Sequence, residues 1–228
     1  TTFFLWRAFL YFGAVLLQRF TLLRNLKKTT HSPRVDWSTL RQVRNFSMGM
    51  TGIAITGIAL VQLDKLVVSR FVRLEEFGAY MVASTAAALV PQLVSPIFTA
   101  LLPSLSQAFA QRDPDAQRRS FSFESRLISG LVHPAALTIV FFSEELLTCW
   151  TGDSHLAQAA SPILGTLALG GLLNSIMVPI YSVQLAAGWT GLAMRTNLFL
   201  VAVMLPYSIL ASSHFGAIGA ASTWPFLN

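Results

Sequence analysis

The side chains of this chain that could do chemistry are polar and charged residues set inside, or at the edges of, long apolar runs. They are Arg7, Gln18 and Arg19; Gln62, Asp64, Lys65 and Arg70; Gln92; Asn174, Tyr181 and Gln184; and Arg195 and Asn197. An ionisable side chain in a bilayer is costly and by default marks a pathway, a relay or a bonded partner. Arg and Lys offer charge-assisted donors suited to phosphate and diphosphate groups, while hydroxyls and amides suit sugars. Covalent chemistry is not indicated. The sequence has no nucleotide-binding Gly-Lys-Ser/Thr loop, no cluster with metal-ligand spacing and no nucleophile elbow. Glu144 and Glu145 are adjacent, so on a helix they diverge rather than face one another as a catalytic pair. Neither an enzyme, a metal nor a cofactor is expected.

The elements that must position these residues are apolar runs at 3–23, 46–63, 77–102, 127–149, 163–187 and 192–211, with a seventh starting near Gly216. A hydrocarbon core about 30 Å thick needs roughly 20 apolar residues in a helix rising about 1.5 Å per residue. Of 228 residues, 54% are apolar and 11% charged, and the mean hydropathy is +0.58. The gaps between runs are too short to fold a core of their own. The expected architecture is therefore an all-α, polytopic transmembrane bundle. The chain starts Thr1–Thr2 and stops shortly into its last run, which reads as a fragment; 3–23 lacks the basic n-region and cleavage site of a signal peptide and reads as a span. Cys149, the single cysteine, is assigned no role.

A net charge of +6 and a pI near 10.1 invite a nucleic-acid reading, but the charge follows the loops. The 24–44 stretch carries Arg24, Lys27, Lys28, Arg34, Arg41 and Arg44; 64–76 carries Lys65, Arg70 and Arg73 against Asp64, Glu75 and Glu76. Arg112, Arg118, Arg119 and Arg126 follow, then Glu144, Glu145 and Asp153 with no basic residue, then Arg195 alone. Odd-numbered loops are richer in Lys and Arg, so they are expected on the cytoplasmic side. Such residues set topology and touch lipid headgroups, and no nucleic-acid partner is expected.

Pro91, Pro96 and Pro103 punctuate the third run, Pro134 the fourth, Pro162 and Pro179 the fifth, and Pro206 the sixth. Each removes a backbone donor and bends its helix, and the freed carbonyls need partners or a wet cavity. Gly49, Gly52, Gly57, Gly165, Gly170, Gly171 and the 216–221 stretch allow close helix contact. Proline and glycine are frequent in membrane helices generally; their number here favours a bundle built around an internal space.

The stretch 62–71, reading QLDKLVVSRF, and 74–80, reading LEEFGAY, resemble the start of the second half of the polysaccharide-biosynthesis flippases. These are the Wzx-type lipid-linked oligosaccharide transporters, related to the multidrug and toxin extrusion (MATE) proteins. Leu173, Asn174, Pro179, Tyr181, Gln184, Gly188, Asn197, Pro206 and the 215–221 stretch fall in the same order and spacing. The resemblance implies two six-helix lobes around a central cavity with alternating access. Residues 1–23 would end the first lobe, 24–44 would be the cytoplasmic connection, and 45–228 a truncated, MATE-like second lobe. It further implies a bacterial inner-membrane protein that moves an undecaprenyl-diphosphate-linked oligosaccharide from the cytoplasmic to the periplasmic leaflet. Membrane lipids and other polysaccharide-assembly membrane proteins are the expected neighbours.

Within that frame the expected substrate path is Arg7, Gln62, Asp64, Lys65, Arg70, Asn174, Tyr181, Gln184, Arg195 and Asn197. Each has a plainer alternative. Arg7 and Arg19 sit near helix ends, where snorkelling accounts for them. Asp64 and Lys65 form a local pair at a helix end, with Glu75 and Glu76 at the positive end of the next helix. Arg195 marks topology. The Asn174 amide needs a partner, for which an interhelical hydrogen bond suffices. His133, beside Pro134, reads as a bonded packing residue. Two other classes compete: a cation-coupled antiporter of the same fold, disfavoured because no acid sits at a span centre, and a membrane glycosyltransferase or polymerase, disfavoured because no large polar loop is present.

Overall fold

The computed structural model describes residues 2–25 and 37–228. The chain forms two compact units, Thr1–Arg41 and Gln42–Asn228. In the first, helix α1 (Thr2–Asn25) covers the 3–23 run. The connection expected at 24–44 lies largely outside the described residues, which resume at Trp37.

Helices follow one another from there: α2 (Trp37–Phe71), α3 (Leu74–Ala87), α4 (Leu89–Ala110), α5 (Pro114–Leu127), a π-helical turn (Ile128–Val132), α6 (His133–Phe141), α7 (Ser143–Thr151), α8 (Ser154–Ala186), α9 (Thr190–Ala221) and α10 (Thr223–Leu227). No strand occurs among the described residues. Four segments are long and apolar enough to cross a membrane: Ser47–Phe71, Leu74–Ala110, Ser154–Ala186 and Thr190–Ala221. A fifth is added if Pro114–Phe141 is counted with Ser143–Thr151, to which it is bent by 82°. The expectation of about seven spans therefore stands at four or five among the described residues.

Several element boundaries differ from the sequence reading, each for a physical reason. The loop expected at 64–76 is mostly helix, because nothing from Asp64 to Phe71 breaks α2 and the buried Val67 and Val68 continue its apolar face. The charged stretch from Arg112 to Arg126 is also mostly helix. Asp113 accepts from the backbone N–H groups of Asp115 and Ala116, both at 3.0 Å, and Pro114 occupies the first turn, so α5 has a strong start signal. The single span expected at 127–149 is instead broken at Phe142, after which Glu144 and Glu145 stabilise the first turn of α7.

Prolines explain two further irregularities. Pro91 has no N–H to return to Ala87, and the helix is interrupted at Ala88 between α3 and α4. Before Pro134, the His133 N–H reaches back to the Ile128 carbonyl, closing a π-helical turn where a regular ladder cannot continue.

Helix α8 is the hub, packing against α3, α4, α6, α7, α9 and α10. Its buried Ala157, Ala160, Leu164 and Leu167 meet Ala79, Ala83 and Val90 of α3 and α4 and Ala136 of α6 in the main core. A second, smaller cluster joins Ile53 of α2 to Leu185 of α8 and Ala193 of α9. Large apolar side chains on the outside, among them Leu131, Phe141, Phe199, Leu210 and Phe215, are left exposed. A soluble fold would bury such residues, whereas lipid accommodates them.

Near its end α9 is not one straight helix. Gly216, at φ 61° and ψ −140°, interrupts it, a conformation that side chains rarely tolerate. The helical path restarting there has its Ala217 N–H accepted by a Glu76 carboxyl oxygen at 2.7 Å. Glu76, expected at the positive end of its own helix, thus serves a different helix end. The reversal returns Trp224 against Gly170 of α8, where an added Cβ would lie 2.5 Å from the Trp224 Cβ.

Candidate functional site

Between α2, α3, α4, α8, α9 and α10 lies an open cavity of about 850 Å³. It unites Asp64, Lys65, Asn174, Tyr181, Gln184 and Asn197 from the sequence-derived set with Ser84, Ser95, Phe98, Thr196 and Asn228. The rest of its wall is mainly aliphatic. Gln62, Arg70 and Arg195 are exposed and are not among its lining residues; Gln92 is exposed as well. Arg7 lies on α1 in the other unit, where its guanidinium donates to the Tyr11 hydroxyl at 3.4 Å and stands 5.8 Å from that ring's centre. Gln18 and Arg19 are exposed on the same helix.

Asp64 forms no ion pair with the Lys65 side chain; its Oδ1 accepts instead from the Lys65 backbone N–H at 2.6 Å. It is 4% exposed, and its Oδ2 accepts from the Tyr80 hydroxyl at 2.7 Å and from Trp224 Nε1 at 3.1 Å. Continuation of α2 past residue 63 turns Asp64 inward, and burial of a carboxyl requires hydrogen-bond partners. The carboxyl thereby ties α2 to α3 and α10. It also puts a buried acid within the candidate span Ser47–Phe71, toward its end and away from the centre, where the sequence reading expected none.

Lys65 is the one cation lining the cavity among the described residues. Its neighbouring carboxyl is engaged by three neutral donors, and no ion pair holds the ammonium among the described residues. Asn174 finds the interhelical partner its position demands: its Nδ2 donates to Asn228 Oδ1 at 2.7 Å, and Asn228 Nδ2 donates to the Trp224 carbonyl at 2.8 Å. The Tyr181 ring stacks on Phe98, with centroids 5.9 Å apart and planes 19° from parallel. The side-chain amides of Gln184 and Asn197 have no protein partner among the described residues. The wall therefore presents a cation, unengaged amides and an aromatic pair inside an apolar bundle.

Two features were missed from the sequence. Tyr80 and Trp224 were not singled out as partners of Asp64, although a buried phenol or indole in a span must place its polar tip somewhere. Glu124, expected in a loop, is 1% exposed on α5 and accepts from the Ser182 hydroxyl of α8 at 2.6 Å. His133 is not the fully bonded residue expected: its buried Nε2 has no hydrogen-bond partner among the described residues. No group of three or more His, Cys, Asp or Glu side chains able to hold a metal occurs among the described residues.

These features define a multi-pass α-helical membrane protein whose bundle holds a mainly apolar cavity set with a few polar side chains. Residues 8–160 match the model of the family described as "Polysaccharide biosynthesis protein", and the chain belongs to that family. It is 26% identical over 193 residues to the lipopolysaccharide biosynthesis protein WzxC of Escherichia coli, covering 83% of this chain and 38% of that protein. It is 29% identical over 143 residues to the succinoglycan biosynthesis transport protein ExoT of Rhizobium meliloti, covering 61% of this chain and 28% of that protein. To the teichuronic acid biosynthesis protein TuaB of Bacillus subtilis it is 29% identical over 133 residues, covering 58% and 26%. The chain thus spans less than two fifths of the length of these relatives. No solved structure matches it.

Proposed function

We propose that the protein containing this chain is a flippase that moves a lipid-linked oligosaccharide from the cytoplasmic to the periplasmic leaflet of a bacterial inner membrane for surface polysaccharide assembly. The observation that carries this reading is the cavity, which gathers Lys65, Gln184 and Asn197 within an otherwise apolar bundle. A diphosphate and its glycan need a cationic and hydrogen-bonding path through about 30 Å of hydrocarbon, while the lipid tail stays in the bilayer. Lys65 contacts the diphosphate, the two amides bond sugar hydroxyls, and the stacked pair of Tyr181 and Phe98 presents an aromatic face to a sugar ring. The names of the relatives, which place them in lipopolysaccharide, succinoglycan and teichuronic acid biosynthesis, support the same pathway class.

The second reading is a cation-coupled exporter of the same fold, and the observation favouring it is the buried acid Asp64 at the cavity wall. One experiment separates them. The full-length protein is deleted in its host, and lipid-linked oligosaccharide and surface polysaccharide are assayed. Accumulation of the complete lipid-linked repeat unit with loss of polymer is the expected result. Normal polysaccharide with raised sensitivity to cationic drugs overturns the flippase reading. In the complemented strain, Lys65→Gln is expected to lower polymer output at least about tenfold while protein abundance holds, consistent with loss of one charge-assisted contact.

A further inference from the structure

A second site lies away from the cavity, on the outward side of α5. Arg118, Arg119 and Arg126, with Asp115, Ser122 and Phe123, line an open groove of about 540 Å³. Their positions follow helical spacing, so one stripe carries the three arginines and a single acid. The other two acids of this stretch are engaged elsewhere, Asp113 in capping the start of α5 and the buried Glu124 in its bond from Ser182. No ion pair engages the three guanidinium groups among the described residues. Phe123 is 53% exposed beside them and Phe121 37%. Nothing in the cavity's wall overlaps this groove.

The depth of the groove follows from length. The helical path Pro114–Phe141 ends at the sharp bend into α7. Taking that bend, which precedes the acidic first turn of α7, as the far edge of the hydrocarbon, about 30 Å takes up roughly 20 residues at about 1.5 Å each. The opposite boundary then falls near residues 121 and 122. Arg126 lies about one turn inside it, where its long side chain reaches outward, and Arg118 and Arg119 lie about one turn beyond it. On this count the three guanidinium groups bracket the level of the lipid phosphates, with the exposed Phe121 and Phe123 at the boundary itself.

We propose that this groove is a docking site for the phosphate headgroup of an anionic phospholipid. A guanidinium fork matches phosphate oxygens bidentately, Ser122 offers a hydroxyl between the two arginine positions, and the net positive stripe complements the headgroup charge. The inference rests on the chain spanning a membrane, and it stands whether or not the cavity carries an oligosaccharide.

The test uses the full-length protein, reconstituted in phosphatidylcholine vesicles containing a minority of phosphatidylglycerol and examined for retained lipid by native mass spectrometry. Wild type is expected to retain phosphatidylglycerol selectively. Each basic residue near an anionic surface strengthens attachment about fivefold, so R118Q/R119Q/R126Q is expected to lose at least about tenfold of that selectivity. The matching lysine variant, which preserves charge and hence membrane topology, is expected to fall between the two, keeping the charge attraction but losing the bidentate fork. Retention by the glutamine variant equal to wild type overturns the proposal. Selective retention of a polyprenyl diphosphate in place of phosphatidylglycerol also overturns it, assigning the groove to a transported lipid. If the glutamine variant does not insert, wild-type retention across rising salt decides: a steep fall supports the site, and insensitivity overturns it.

Discussion

Asp64 and Glu124 are both acids buried in an apolar bundle, yet they are held in different ways. Asp64 Oδ2 receives two donors of its own, the Tyr80 hydroxyl and the Trp224 indole, from two other helices. Glu124 receives one, and that donor is shared, since Ser182 Oγ, which carries a single proton, also lies 3.1 Å from the Val178 carbonyl oxygen. Asp64 lines the cavity and Glu124 does not. The contrast separates two jobs for a buried acid: Asp64 fastens three elements around a space, and Glu124 pins one helix to the hub.

If that division holds, the largest effect comes from Asp64→Ala. It leaves a buried phenol and a half-buried indole without an acceptor and is expected to destabilise the full-length protein by about 3 kcal/mol, read as thermal unfolding in detergent. Tyr80→Phe removes one of the two donors to Oδ2 and should cost about 1.5 kcal/mol by the same measurement, because this buried bond is not shared. Ser182→Ala is expected to cost only about 1 kcal/mol, because the hydroxyl divides its proton between two acceptors. Equal losses at Tyr80 and Ser182 would collapse the distinction. At the small end, Arg70→Ala and Arg195→Ala, both exposed and outside the cavity wall, should leave polymer export within about twofold of wild type.

The sequence disclosed the membrane character and much of the cavity wall because both rest on residue type. Long apolar runs, and the rarity of amides and charges within them, picked out Asn174, Tyr181, Gln184 and Asn197, which the fold brings together. It misjudged where helices stop. Charge suggested loops at 64–76 and 112–126, but charge ends a helix only when a breaker or a cap accompanies it. No breaker follows Asp64, while Asp113 and Pro114 begin a helix there instead of avoiding one. That error hid the burial of Asp64 and Glu124, and with it the argument about buried acids. The partners Tyr80 and Trp224 lie 16 and 160 residues from Asp64, and no local pattern encodes such pairings.

The separation of Asp64 from Trp224 also sets a timetable. Synthesis adds about 5–20 residues per second, so the indole emerges on the order of ten seconds after the acid it will serve. Through that interval Asp64 has left water with only part of its donor set, and the half-built segment must be sheltered by the insertion machinery or held at the wet rim of the bilayer. Completion then depends on the turn at Gly216, which swings the late-arriving tryptophan back onto a helix made earlier. A chain released before that turn forms would carry every residue of the apolar core of α3 and α4 and still lack the closing piece of its cavity.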